Sequence, residues 1–259
     1  MILNYFQKHA SSIYIRLIIL VHLIFSYNFL PGWWFSLTGT LIIIFLAQKA
    51  WGWEYKNWIG LNITPWIIVL SLILLGLITM GSYYLITSIN HNFSIASSLL
   101  SLTAFIHFIG YTLNEEILIG AILLKFIQKK IQILKRYQIS ILVAFVFSIL
   151  HYIFYRWVFL DSGILTPITL SSLLAVGIIR NNLILGTGHI GYSWALHAGW
   201  IFVMFGFIHT DILNDHILNE SERFNLYLGA YPTLLITIGL ALMSFIIYFN
   251  KIKLFPTKG

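Results

Sequence analysis

Between Lys56 and Glu115 the chain carries no charged side chain. A folded domain in water has to cover itself with polar groups, and a stretch of this length without charge cannot do so. The rest of the sequence agrees. Of 259 residues, 59% are hydrophobic, 17% aromatic and 9% charged, where an ordinary soluble domain is about 25% charged. These proportions exclude a soluble enzyme, a disordered chain and a nucleic-acid-binding domain. The formal net charge of +7 fits lysines placed beside membrane segments better than a site for an anionic partner. There is no cysteine, which excludes a disulfide scaffold, a thiolate metal site and a cysteine nucleophile. What remains is an all-α, polytopic transmembrane helix bundle whose main partner is the lipid bilayer.

A spanning helix needs about 20 mostly apolar residues. Such runs occupy 12–30, 33–50, 65–88, 95–127, 139–157, 167–186, 189–209 and 231–250. Eight spans are expected, with seven as the fallback. The fourth run is too long for a simple span, so it either projects beyond the bilayer or breaks near Gly110. Asn181, Gly186 and Gly188 mark a short turn between the sixth and seventh runs. Lys8 precedes the first run, but no small-x-small cleavage site follows it, so it reads as a retained helix and not a signal peptide. With the N-terminus in the cytoplasm, Lys49, Lys56, Lys129, Lys130, Lys135, Arg136 and Arg180 fall inside, as do Lys251, Lys253 and Lys258. Arg156, Arg223 and the acidic stretch 210–230 fall outside. Short-loop charge therefore predicts both termini in the cytoplasm. Trp33, Trp34, Trp51, Trp53, Trp58 and Trp66 cluster near predicted span ends, as interfacial aromatics do. No repeat or linker divides the chain, so residues 1–259 form one domain.

Against this background Glu115 and Glu116 stand out, adjacent and inside an apolar run that continues to Leu124. One acidic residue at the centre of a membrane helix costs about 2.5–3.5 kcal/mol on insertion scales. Such groups persist where chemistry needs them, and a coupled carboxylate pair suits a general base or acid. Adjacent helical residues diverge, so one glutamate is expected to face the site and the other a neighbouring helix. His107, Tyr111 and Glu115 follow one helical stripe, which favours Glu115 as the inward one.

Two histidines, His151 and His197, also sit deep in apolar helices. At 1.5 Å per residue, Glu115 is roughly 15 Å from Lys125, His151 roughly 18 Å from Ile139 and His197 roughly 12 Å from His189. Three helices thus bring these groups to a similar depth. A glutamate and a histidine can hold and deprotonate water while a second histidine donates to a developing oxyanion. The same Glu115, His151 and His197 could instead ligate a divalent metal such as zinc, although the sequence has no His-Glu-x-x-His motif.

The glutamate pair, the later Phe147-x-x-x-His151 and the segment from Gly177 and Arg180 through Gly188 to Trp200, around His197, together resemble the CPBP family. These are the CAAX proteases and bacteriocin-processing enzymes, also called Abi, which are intramembrane endopeptidases. The likeness covers about 100–205. It implies that Glu115 is the general base with Glu116 as its neighbour, that His151 is the second water-holding residue, and that His197 stabilises the oxyanion or stands on the metal side. The chain departs from that pattern twice. The family's arginine four residues after the second glutamate is here Gly120, and the amide or acid four residues after the last histidine is here Ile201. Asn181, Asn182 and Ser193 are the nearby candidates to replace the amide.

The expectation is therefore an intramembrane endopeptidase of a bacterial inner or plasma membrane, cutting a peptide or membrane-protein tail in a cavity open to the cytoplasm. The alternatives are a catalytically inactive immunity or scaffold protein on the same fold, and a proton-coupled transporter. The last predicts inverted repeats, and none is seen.

Overall fold

The computed structural model describes residues 60–61, 64–90, 102–131, 133–158, 163–206, 212–213 and 216–249, with isolated positions between 38 and 45. Some side chains inside these ranges, that of His107 among them, lie outside the description. So does the first expected run, together with most of the second.

The described chain is helical apart from a two-residue antiparallel pairing of Ile212–Leu213 with His216–Ile217. We name the helices α1 (Pro65–Ile89), α2 (Leu102–Glu115), α3 (Leu124–Lys130), α4 (Arg136–Ile153), α5 (Pro167–Thr187), α6 (Gly191–Ile201), α7 (Glu220–Tyr227) and α8 (Tyr231–Phe249). Three of these stretches are long and apolar enough to cross a membrane: α1, α4 extended to Trp157, and α5. A fourth arises if α7 and α8, bent by 72°, count as one broken span.

Local chemistry sets the boundaries. α1 and α5 each begin with a threonine cap followed by proline. Thr64 accepts from the Ile67 amide, and Thr166 accepts from the Thr169 amide at 3.2 Å. Proline suits the first helical position because its missing N–H has no partner there. α5 ends at Gly188, whose φ of 77° is the left-handed conformation that closes helices and that glycine tolerates best. Asn181 is not part of that turn, contrary to the sequence reading. It lies within α5, fully buried, and its amide donates to the Ser140 carbonyl on α4 at 2.8 Å.

The long fourth run does not break near Gly110. α2 and α3 are joined by a π-helical segment, Glu116–Leu123, so helical backbone runs from Leu102 to Lys130. Two further π segments, Phe154–Val158 and Phe202–Gly206, follow α4 and α6. Such segments are rare and often occur at functional sites. Here they lie on the three elements that carry the glutamate pair, His151 and His197.

α5 is the central helix. It lies against α4 on one side and α8 on the other. Ser148 donates to the Leu170 carbonyl, Gly177 meets Ala144, and Asn181 reaches Ser140, so α4 and α5 run antiparallel. A Cβ at Gly177 would lie 3.0 Å from the Ala144 backbone. Small residues at a helix crossing permit this close approach, which membrane helices use in place of a hydrophobic driving force. α6 follows α1, with Gly191 against Ser71 and Gly199 against Ile78. The buried apolar core gathers Ile117, Leu118, Ile122, Val143, Phe147 and Ile184 around the same level.

Candidate active site

α5 and α6 form a hairpin around Gly188. Arg180 lies seven residues before the last residue of α5 and His197 six after the first of α6, so the two stand about 10.5 Å and about 9 Å from the ends that flank the turn. The glutamate pair ends α2 and opens its π segment. All four side chains meet.

Glu116 is fully buried, and its Oε1 lies 3.2 Å from His197 Nδ1. Glu115 Oε2 lies 3.8 Å from Nε2 of the same ring. The imidazole of α6 is therefore held between the two carboxylates. Arg180 closes the group from α5, with one nitrogen, Nη1, 3.8 Å from Glu115 Oε1 and 4.0 Å from Glu116 Oε1. These separations exceed a hydrogen bond. The guanidinium carbon sits 4.1 Å from the centre of the Phe147 ring, a cation–π contact. Phe147 also meets His151, at 4.4 Å between ring centres.

Arg180 is the residue that sequence reasoning misplaced. Positive-inside counting assigned it to a cytoplasmic end, yet it is 2% exposed, in the interior of α5. The signal was present in the helix ends. Thr166-Pro167 and Gly188 fix both ends of α5 and put Arg180 more than two turns from either.

His151 Nδ1 lies 2.9 Å from the Phe147 carbonyl. A carbonyl only accepts, so Nδ1 carries the proton and Nε2 of the neutral ring is the basic nitrogen. His151, Glu115 and His197 all line one cavity of about 830 Å³. Most of its wall is apolar, with Leu118, Phe147, Leu150, Phe154 and Trp200 among the lining residues. Tyr111 lines it as well. Glu116 is not a lining residue, so of the pair it is Glu115 that meets the cavity.

The cavity extends toward Leu85 of α1, Glu220 and Arg223 of α7 and Thr233 of α8. That end is away from the α5–α6 turn. Glu220, read from sequence as part of an acidic outer loop, accepts from the Tyr155 hydroxyl at 2.6 Å and borders this end.

The other sequence candidates lie elsewhere. Asn182 donates to Ser244 on α8 at 2.9 Å, and Ser193 donates to the Ile190 carbonyl at 2.9 Å. With Asn181 held by Ser140, none of the three lines the cavity. Ile201 does line it and brings no amide. Glu115, His151 and His197, the candidate ligands for a divalent metal, share the lining of this cavity. Among the described residues no group of three or more His, Asp or Glu side chains is placed to hold an ion. The guanidinium already supplies positive charge beside both carboxylates.

Two cross-links hold α2 in place around the pair. Trp194 Nε1 of α6 donates to Thr112 Oγ1 at 3.1 Å, and the Thr40 hydroxyl donates to the Asn114 side chain. No family model, curated protein or solved structure matches the chain.

Proposed function

We propose that the chain is an intramembrane endopeptidase that cleaves a peptide or membrane-protein tail with water activated by Glu115 and His151. It is a multi-pass protein of about eight spans with both termini in the cytoplasm, in a bacterial inner or plasma membrane. One observation carries the reading: a buried Glu115–Glu116–His197 group meets, through Glu115, an apolar cavity that His151 also lines. The likeness of the glutamate pair, Phe147-x-x-x-His151 and the His197 segment to the CPBP endopeptidases supports it independently.

The chemistry follows from the side chains. His151 Nε2 accepts a hydrogen bond from a water, and Glu115 takes the water's other proton as its oxygen attacks the scissile carbonyl. The carbonyl oxygen gains the displaced electron pair. His197 as an imidazolium donates from Nδ1 to Glu116 and from Nε2 toward that oxyanion. Glu116 fixes the ring orientation, as a carboxylate does for the histidine of a hydrolytic triad. The C–N bond then breaks, and the amine leaves with the proton held by Glu115. With His197 and Arg180 both cationic and both glutamates ionised, the four charges sum to zero, which lowers the cost of burying them together.

Mapping of peptide termini in membranes tests this. Cells expressing the wild-type chain are compared with cells expressing Glu115→Gln at matched abundance. New termini that require Glu115 are expected. An identical set of termini in both would overturn the peptidase and favour the non-catalytic reading.

A further inference from the structure

The structure assigns Arg180 and Gly120 as a matched pair: Gly120 vacates the volume beside Glu116 past which the Arg180 side chain reaches, and Arg180 is the positioning cation of the glutamate pair. The inference rests on the peptidase reading only for what the position is used for. The pairing itself stands on geometry.

Gly120 is one turn beyond Glu116 in the π segment. A Cβ built on it would lie 2.9 Å from Ile184 Cδ1, 3.0 Å from Glu116 Oε2 and 3.6 Å from Arg180 Cδ. Ile184 is one turn beyond Arg180 on α5, so the neighbours of that Cβ come from both sides of the α2–α5 contact. A side chain at 120 presses on the Ile184 methyl and the Glu116 carboxylate, and its Cβ stands in van der Waals contact with the Arg180 side chain. Glycine is conformationally ordinary here, and its use is space.

The charge pattern gives the arginine its task. Glu115, Glu116 and Arg180 are all buried. A single nitrogen of Arg180 is nearly equidistant from one oxygen of each glutamate. It therefore balances both without locking either in a bidentate bond. Phe147 supports the guanidinium from behind, and Gly177, one turn earlier on α5, brings that face of α5 against Phe147. Without Arg180, two buried carboxylates would share one imidazole. Removing one partner of a buried ion pair is costly because the other charge stays buried and uncompensated.

A packing role and a charge role predict different couplings. Thermal unfolding of the purified protein in lipid nanodiscs separates them. Arg180→Met, which keeps bulk and removes charge, is expected to lower Tm by about 10 °C. In the triple variant Arg180→Met with Glu115→Gln and Glu116→Gln, most of that loss is expected to return. Strictly additive losses would overturn the assignment. Should Arg180→Met fail to fold, the exchange Gly120→Arg with Arg180→Gly decides: it is expected to fold with a higher Tm than either single variant. A double variant no better than the worse single would equally overturn it. Site-dependent termini supply the functional readout. Arg180→Lys is expected to retain them and Arg180→Met to lose them. Absence of such termini in the wild type would sink the peptidase reading while leaving the thermal cycle to decide the pair.

Discussion

Two polar clusters tie the helices together, and they are built differently. The first joins α7 to the start of α5. Asn225 Oδ1 accepts from the Thr166 amide at 2.8 Å and the Thr169 hydroxyl at 2.9 Å, while its Nδ2 donates to the Ile164 carbonyl at 2.8 Å. Asn219 and Glu222 cap α7 reciprocally. Every contact is at hydrogen-bonding length. The second cluster is the glutamate pair with Arg180 and His197. There a single contact, His197 to Glu116, is a hydrogen bond, and the ion pairs stand at 3.8–4.0 Å. Among the described residues, Glu115 Oε1, Glu116 Oε2 and all three guanidinium nitrogens make no hydrogen bond. Buried polar groups in folded proteins are normally satisfied. The glutamate cluster keeps bonding capacity beside a cavity, as a site that must bind water and a peptide bond requires.

Breaking each cluster should have a different outcome. The largest effect is expected for Glu115→Gln, which preserves shape and removes the base. Single-turnover cleavage of a substrate found by terminus mapping should slow by about 10²–10⁴-fold, with Tm little changed. His151→Ala should slow the same reaction by about 10²-fold. Loss of substrate binding without loss of turnover would instead make His151 a wall of the cavity. Asn225→Ala should do the reverse. It is expected to cost about 0.5–1.5 kcal/mol in denaturant unfolding, the net worth of hydrogen bonds at a partly exposed site, and to leave the single-turnover rate of folded protein unchanged. A rate loss there as large as at Glu115 would erase the distinction between the clusters.

The smallest effect concerns His189, in the turn between α5 and α6. Burial, and then the positive charge of Lys125, hold its pKa below the ordinary histidine value. The unfolded chain therefore binds this proton more readily than the folded one. Stability should decline as pH falls through about 6.5 and level off below the folded-state value. His189→Asn should flatten that part of the Tm–pH curve relative to wild type. An unchanged curve would mean the turn opens to water.

Some of this was legible in the sequence for a physical reason. Apolar length located α1 and α5, and the absence of charge from Lys56 onward made the glutamate pair conspicuous. Arg180 was hidden by its neighbours. Asn181 and Asn182 beside it look like a turn, yet inside a helix their amides reach Ser140 and Ser244 and act as interhelical ties. Gly120 read as a lost partner because spacing along one helix cannot show a side chain arriving from another. The π segments escaped because a stripe drawn at 3.6 residues per turn assumes the geometry they alter. The stripe from His107 is described only in part: Tyr111 and Glu115 line the cavity, and the His107 side chain lies outside the described residues.

The central claim is that Glu115, His151 and His197 serve one reaction. It is tested most directly by the set of membrane-peptide termini produced by Glu115→Gln, His151→Ala, His197→Ala and Asn225→Ala at equal abundance. The first three should lose one and the same set of termini, which Asn225→Ala should retain. Retention of that set by any of the first three, or loss of unrelated sets, would contradict a shared catalytic site.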